Sequence, residues 1–110
     1  MEKTYMDERM LLDGLFAFLD QSVSPFHGAA AACRLLEKAG YTLCPESQPW
    51  KLEAGGRYYT TRNGTAVLAW RMPRGRLAGW HVTASHGDSP TWRLKVADIA
   101  EGGYLKAGAE

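Results

Sequence analysis

Apolar positions in the first part of the chain recur at the helical period. Leu11, Leu15, Phe18 and Leu19 stand on one face of an α-helix, and Leu12 and Phe16 widen that stripe. Gly14 weakens this helix without ending it. The stretch Gln21-Ser22-Val23-Ser24-Pro25 breaks it. Ser24 then caps a second helix with Pro25 in its first turn, where a missing N–H costs nothing. Phe26, Ala29, Ala30, Cys33 and Leu36 share a face of that helix, and Gly40 is its expected left-handed stop, with Lys38 in the last turn.

From Tyr41 to Gly56 the pattern is irregular. Pro45, Pro49, Gly55 and Gly56 mark a loop, with Trp50 and Leu52 expected to pin it to the core. The period then changes. Arg57–Thr61 and Thr65–Met72 read as strands joined by Asn63-Gly64, a pair suited to a type I′ turn because both central residues need positive φ. Trp80–Ser85 alternates and reads as a third strand. Trp92–Val96 and Tyr104–Ala107 read as further short strands, and Asp98–Gly103 as a turn. The expected class is α/β: two helices followed by a mainly antiparallel strand set. The chain closes on Gly108-Ala109-Glu110, directly behind a strand-like segment, and this predicts a domain cut short.

Composition narrows the function classes. With 13 Lys+Arg against 12 Asp+Glu the net charge is +1, which leaves no electrostatic footprint for nucleic acid or an anionic membrane. No apolar run approaches the ~20 residues that span a bilayer. Met1–Met10 mixes charges and lacks a signal-peptide core, so a cytoplasmic location is expected. Cys33 and Cys44 have no metal-motif spacing and read as reduced, with Cys33 a small core residue. The four tryptophans read as core or interface anchors. Arg57, Arg62, Arg71, Arg74 and Arg76 read as solvated positions.

Candidate chemistry concentrates in Ala84-Ser85-His86-Gly87-Asp88-Ser89-Pro90. A histidine and an aspartate stand two apart after a strand-like segment. A neutral imidazole is a common zinc ligand. A neighbouring carboxylate fixes its tautomer and raises its basicity. Such a pair also arises as a plain surface hydrogen bond, and the spacing alone does not separate the two. His27 reads as a local polar contact at the start of a helix, and His81 as a structural residue.

Several segments together resemble the M18 family of metallo-aminopeptidases, the aspartyl aminopeptidase family. They are Phe18-Leu19-Asp20, Ser22-Val23-Ser24-Pro25-Phe26-His27, Leu36-Glu37-Lys38-Ala39-Gly40-Tyr41, Trp50-Lys51-Leu52, Gly55-Gly56-Arg57-Tyr58-Tyr59 and Thr61-Arg62-Asn63-Gly64. His86-Gly87-Asp88-Ser89-Pro90 and Gly103-Tyr104-Leu105 complete the set. They occur in the family's order and span nearly the whole chain. Family members often read Gly-Ala-His-Thr-Asp-Ser-Pro where this chain reads Ala84-Ser85-His86-Gly87-Asp88-Ser89-Pro90. The ligand and carboxylate positions survive the change.

The resemblance implies that His86 ligates one ion of a two-zinc centre and that Asp88 is the catalytic-site carboxylate orienting it. It implies peptide substrates with a free N-terminus, preferentially Asp or Glu, and a homo-oligomeric full-length enzyme. It implies no nucleic-acid or membrane partner. Residues 1–90 would be the N-terminal part of the catalytic domain, and 91–110 the start of an inserted, dimerisation-type β domain. The bridging Asp, further carboxylates, a second His and a Glu general base lie beyond these residues in the family, so the chain alone is expected to be inactive. The alternative is a small stand-alone binding module derived from the enzyme's front half.

Overall fold

The computed structural model describes the backbone of residues 2–110 and the side chains of 7–95 and 102–110. It is α/β. Helix α1 covers Glu2–Gln21 and α2 covers Pro25–Lys38. Strands β1 (Thr42–Leu43), β2 (Arg57–Arg62) and β3 (Ala66–Arg71) form a mixed sheet in that order. Strands β4 (Leu94–Glu101) and β5 (Tyr104–Ala109) form a separate antiparallel hairpin.

Both ends of α2 follow from local chemistry. Ser24 is the N-cap, extended at φ −150°, and its Oγ accepts the His27 N–H at 3.3 Å. The same hydroxyl lies 2.6 Å from His27 Nδ1, so His27 makes the local contact expected of it. At the other end Gly40 takes φ +83°. The Tyr41 N–H reaches the Leu36 carbonyl at 2.9 Å and the Gly40 N–H reaches Glu37 at 3.0 Å, a Schellman closure.

The core is a thin sandwich around β2. Tyr58, Tyr59 and Thr60 are buried, and successive side chains leave opposite faces of the strand. Tyr59 turns to α2, where its hydroxyl donates to Glu37 Oε1 at 2.5 Å. Tyr58 turns to the 45–56 loop, and its Oη accepts the Glu53 N–H at 2.8 Å. A Cβ at Gly56 would collide with the Tyr58 phenol, so that position needs glycine for lack of space. Trp50 stacks on Trp70 at 5.1 Å and fixes its own Nε1–H on the Pro45 carbonyl at 2.8 Å. Trp50 thus pins its loop as expected, whereas Leu52 stays exposed.

Several expectations are corrected. The 41–56 loop contains β1, which pairs parallel to β2 and places the Cys44 N–H 2.7 Å from the Tyr59 carbonyl. The Asn63-Gly64 turn has the expected positive φ values, 53° and 68°. Arg62 nonetheless stands opposite Ala66, so Thr65 is an extra loop residue. The second turn narrows to Gly102-Gly103, because β4 runs on to Glu101. Trp80–Ser85 is not a strand but an extended segment without a hydrogen-bonded neighbour. Alternation prepares a strand; only a partner edge makes one. Trp80 and Trp92 are exposed and so are not core anchors, and Cys33 is half-buried. Helix α1 packs only against α2, and of its apolar stripe only Phe18 is half-buried; Leu11 is 75% exposed.

The radius of gyration is 20.2 Å, against about 13 Å for a compact domain of this length. The accessible surface is 9981 Å², against roughly 6,000 Å² for a folded monomer of this mass. Both excesses have the same origin. Residues 72–93 run without regular structure, and the β4–β5 hairpin touches no other described helix or strand.

Candidate functional site

Two backbone features bring His86 back to the body of the molecule. Gly87 has no side chain, and its Cβ position lies 3.9 Å from the Thr65 carbonyl oxygen at the β2–β3 turn. The Gly87 carbonyl in turn lies 3.9 Å from the Cβ position of Gly28, in the first turn of α2. The loop is thereby seated between a helix start and a hairpin turn. The hairpin turn is held in its own place by Phe26, whose ring lies 3.4 Å from the Cβ position of Gly64. A cleft of about 860 Å³ opens here, walled by Ser24, Gly28, Thr65, Val67 and the 85–89 loop.

His86 and Asp88 are in direct contact. His86 Nδ1 lies 2.7 Å from Asp88 Oδ1 and 2.8 Å from the Asp88 backbone carbonyl oxygen. Carboxylate and carbonyl oxygens only accept, so the ring must donate, and the proton sits on Nδ1. The neutral imidazole then carries its lone pair on Nε2. That atom has no hydrogen-bond partner among the described residues. The side chains are 80% and 60% exposed, so the lone pair faces open space beside the cleft.

This donor set fits a zinc ligand with its orienting carboxylate, the arrangement in which one ring nitrogen binds metal and the other is held by an acceptor. It does not fit a complete site. Catalytic zinc takes about three protein ligands, and no group of three His, Cys, Asp or Glu able to hold a metal occurs among the described residues. His27 is tied to Ser24, and His81 lies exposed on the 72–93 segment, so neither joins His86.

The cysteines do not add chemistry. Burial, and then the neighbouring Glu37 carboxylate, push the Cys33 thiol above its ordinary range, which keeps it protonated and poorly nucleophilic. Arg62 grips Glu46 through Nε at 3.0 Å and Nη2 at 2.7 Å, and that hydrogen bonding lowers the Glu46 carboxyl. Both side chains are exposed, and the pair braces β2 against the loop that follows β1.

What the spacing of residues did not indicate is the cleft wall. Gly28 and Thr65 approach the His86 loop only through the fold, and no local motif marks them. None of the described helices is long and apolar enough to cross a membrane.

The family model for aminopeptidase I zinc metalloprotease (M18) matches residues 18–109. A probable M18 family aminopeptidase 2 of Pseudomonas paraeruginosa is 43% identical over 103 residues, which is 91% of this chain and 24% of that protein. The corresponding proteins of Ectopseudomonas mendocina and Azotobacter vinelandii are 38% and 37% identical over the same share. Among solved structures, a chain in the cryo-EM structure of the Ape4 and Nbr1 complex superposes with a TM-score of 0.79 at 32% identity. That match covers 90% of this chain and 20% of the other. The chain thus spans about a quarter of the length of the curated relatives it matches.

Proposed function

The chain belongs to the M18 family of zinc metalloprotease aminopeptidases, and from that premise we propose that it is the N-terminal part of a two-zinc aminopeptidase in which His86 is a metal ligand and Asp88 holds it in place. The observation that carries this reading is the Nδ1–Asp88 contact, which leaves Nε2 free beside a cleft. When bound, zinc supplies Lewis acidity toward a peptide carbonyl and toward water.

The residues present have three tasks in that reading. Asp88 keeps the proton on Nδ1 and so fixes which nitrogen faces the metal. Gly87 and Gly28 let the loop sit against α2, which sets the position of the ring. The cleft between the first turn of α2, Thr65 and the 85–89 loop gives the end of an extended peptide a place beside His86. The substrate is a peptide with a free N-terminus, and the acidic preference follows from the family resemblance alone. The general base and the remaining ligands are supplied by sequence outside these residues, so the chain by itself is inactive.

Residues 1–90 belong to the catalytic domain in this reading and 91–110 open a second β domain. The isolation of the β4–β5 hairpin from every other described element supports that division. The free cysteines suit a reducing, cytoplasmic setting. The wide apolar exposure suits a chain completed by further polypeptide and by homo-oligomer contacts better than a stand-alone module.

The test is complementation. The chain is co-expressed with the part of the Pseudomonas aeruginosa M18 family aminopeptidase 2 that lies beyond the matched region, and hydrolysis of Asp- and Glu-amides is followed. The assembled pair should be active and the chain alone inactive. His86→Ala should abolish turnover, and Asp88→Ala should lower it about 10–100-fold. An assembled pair whose activity survives His86→Ala would refute the assignment.

A further inference from the structure

A second concavity, about 1450 Å³, lies between β3 and the extended segment 74–83. Its two walls are both unpaired backbone. β3 is the outer strand of its sheet. The Met72 N–H donates to the Gly56 carbonyl at 2.8 Å. In an antiparallel pair the direction of the amides alternates. The β2–β3 register therefore points the amides of Trp70 and Leu68 at β2 and turns those of Val67, Ala69 and Arg71 to the open edge. Across the gap, Trp80 and Val82 are 54% and 80% exposed on a segment with strand alternation and no strand partner.

Charge adds direction. Arg57, Arg71, Arg74 and Arg76 line the gap together with His81, and no carboxylate does. Among the described residues Arg71, Arg74 and Arg76 have neither a hydrogen bond nor an ion pair.

We propose that this gap is a slot for one β-strand. It takes an extended, alternately apolar segment from the part of the M18 polypeptide that lies outside these 110 residues. The segment's backbone pairs with the free edge of β3 and with 80–85, and its carboxylates meet the arginines. The proposal rests on the family reading above but not on the role of His86.

Size, charge and chain length agree on that occupant. A six-residue strand is about 20 Å long, 4.8 Å wide and 10 Å thick, roughly 1,000 Å³, which the gap admits. A second copy of this chain would bring the same arginines edge to edge, and like charges set opposite one another in a sheet are unfavourable. The relatives carry about three quarters of their length beyond the matched part, and a sheet edge left open is the natural place for such polypeptide to add.

The test uses the same co-expressed pair, read by amide hydrogen exchange. On assembly, exchange at Val67, Ala69 and Arg71 should slow by about ten-fold or more, and 80–85 should become protected with it. Arg74→Glu with Arg76→Glu should weaken assembly by about ten-fold or more, because both positions lie on the exposed segment and the substitution reverses the complementarity. Three results would overturn the proposal: edge amides that exchange as fast in the assembled pair as in the free chain, no assembly at all, or the same protection arising from self-association of the chain alone. Edge protection without His86-dependent activity would sink the catalytic reading and leave the slot. Activity with unprotected edge amides would do the reverse.

Discussion

Tyr59→Phe removes a single oxygen and isolates the contact that binds α2 to the sheet. The Tyr59 hydroxyl donates to Glu37 Oε1 at 2.5 Å from a buried ring. A hydrogen bond to a charged acceptor contributes about 1.5–3 kcal/mol. An independent measure comes from titration. The Glu37 hydrogen bond, then burial, push the Tyr59 hydroxyl up to about 12 from an ordinary value near 10. Two units correspond to about 2–3 kcal/mol favouring the protonated form. The folded state therefore holds the phenolic proton more tightly than the unfolded state. The contribution is complete below pH 10 and is lost as pH rises from 10 toward 12.

The assay is urea unfolding followed by tryptophan fluorescence, since Trp50 and Trp70 stack in the same core. At pH 8 the Phe variant should be less stable by about 1.5–3 kcal/mol. Between pH 10 and 12 the parent chain should lose that advantage and the two curves should converge. Other groups titrate in this window, but they do so in both proteins and cancel in the difference. A gap between the curves that stays constant from pH 8 to pH 12 would refute the reasoning, because the lost contact would then not be a proton donated to Glu37.

Three further substitutions or reactions probe elements that seat the His86 loop. Ser24→Ala should cost about 1 kcal/mol by removing the N-cap of α2, measured by thermal unfolding, while Ser24→Gly should cost only a few tenths. Gly64→Ala places a side chain at φ +68° and against Phe26, and should cost about 1–2 kcal/mol; an unchanged unfolding midpoint would contradict the turn geometry. Cys33 should react with iodoacetamide at pH 7.5 more slowly than a free thiol, because burial and Glu37 hold it protonated, and a rate equal to that of free cysteine would contradict that cause.

Local chemistry was legible in the sequence wherever the determinant and its effect lie within a few residues. Ser24-Pro25 sets the start of α2, Gly40 its end and Asn63-Gly64 the hairpin. The contact between His86 and Asp88 belongs to the same class, since the two stand two residues apart. What depends on a distant partner was not legible. Thr42–Leu43 becomes a strand only because Tyr58 and Tyr59 lie alongside. Trp80–Ser85 has the alternation of a strand but no neighbour among the described residues, and the stripe of α1 has the periodicity of a buried face without the burial. The cleft wall has the same origin, because Gly28 and Thr65 reach the 85–89 loop from sites far away in the sequence.

The central claim is that His86 binds metal through Nε2 while Asp88 holds Nδ1. Anomalous diffraction at the zinc edge from crystals of the assembled pair tests it most directly. The account predicts a zinc peak within bonding distance of His86 Nε2, with Asp88 still on Nδ1, and loss of that peak in His86→Ala. Zinc bound elsewhere with His86 uncoordinated, or zinc on Nδ1 with Asp88 displaced, would contradict it.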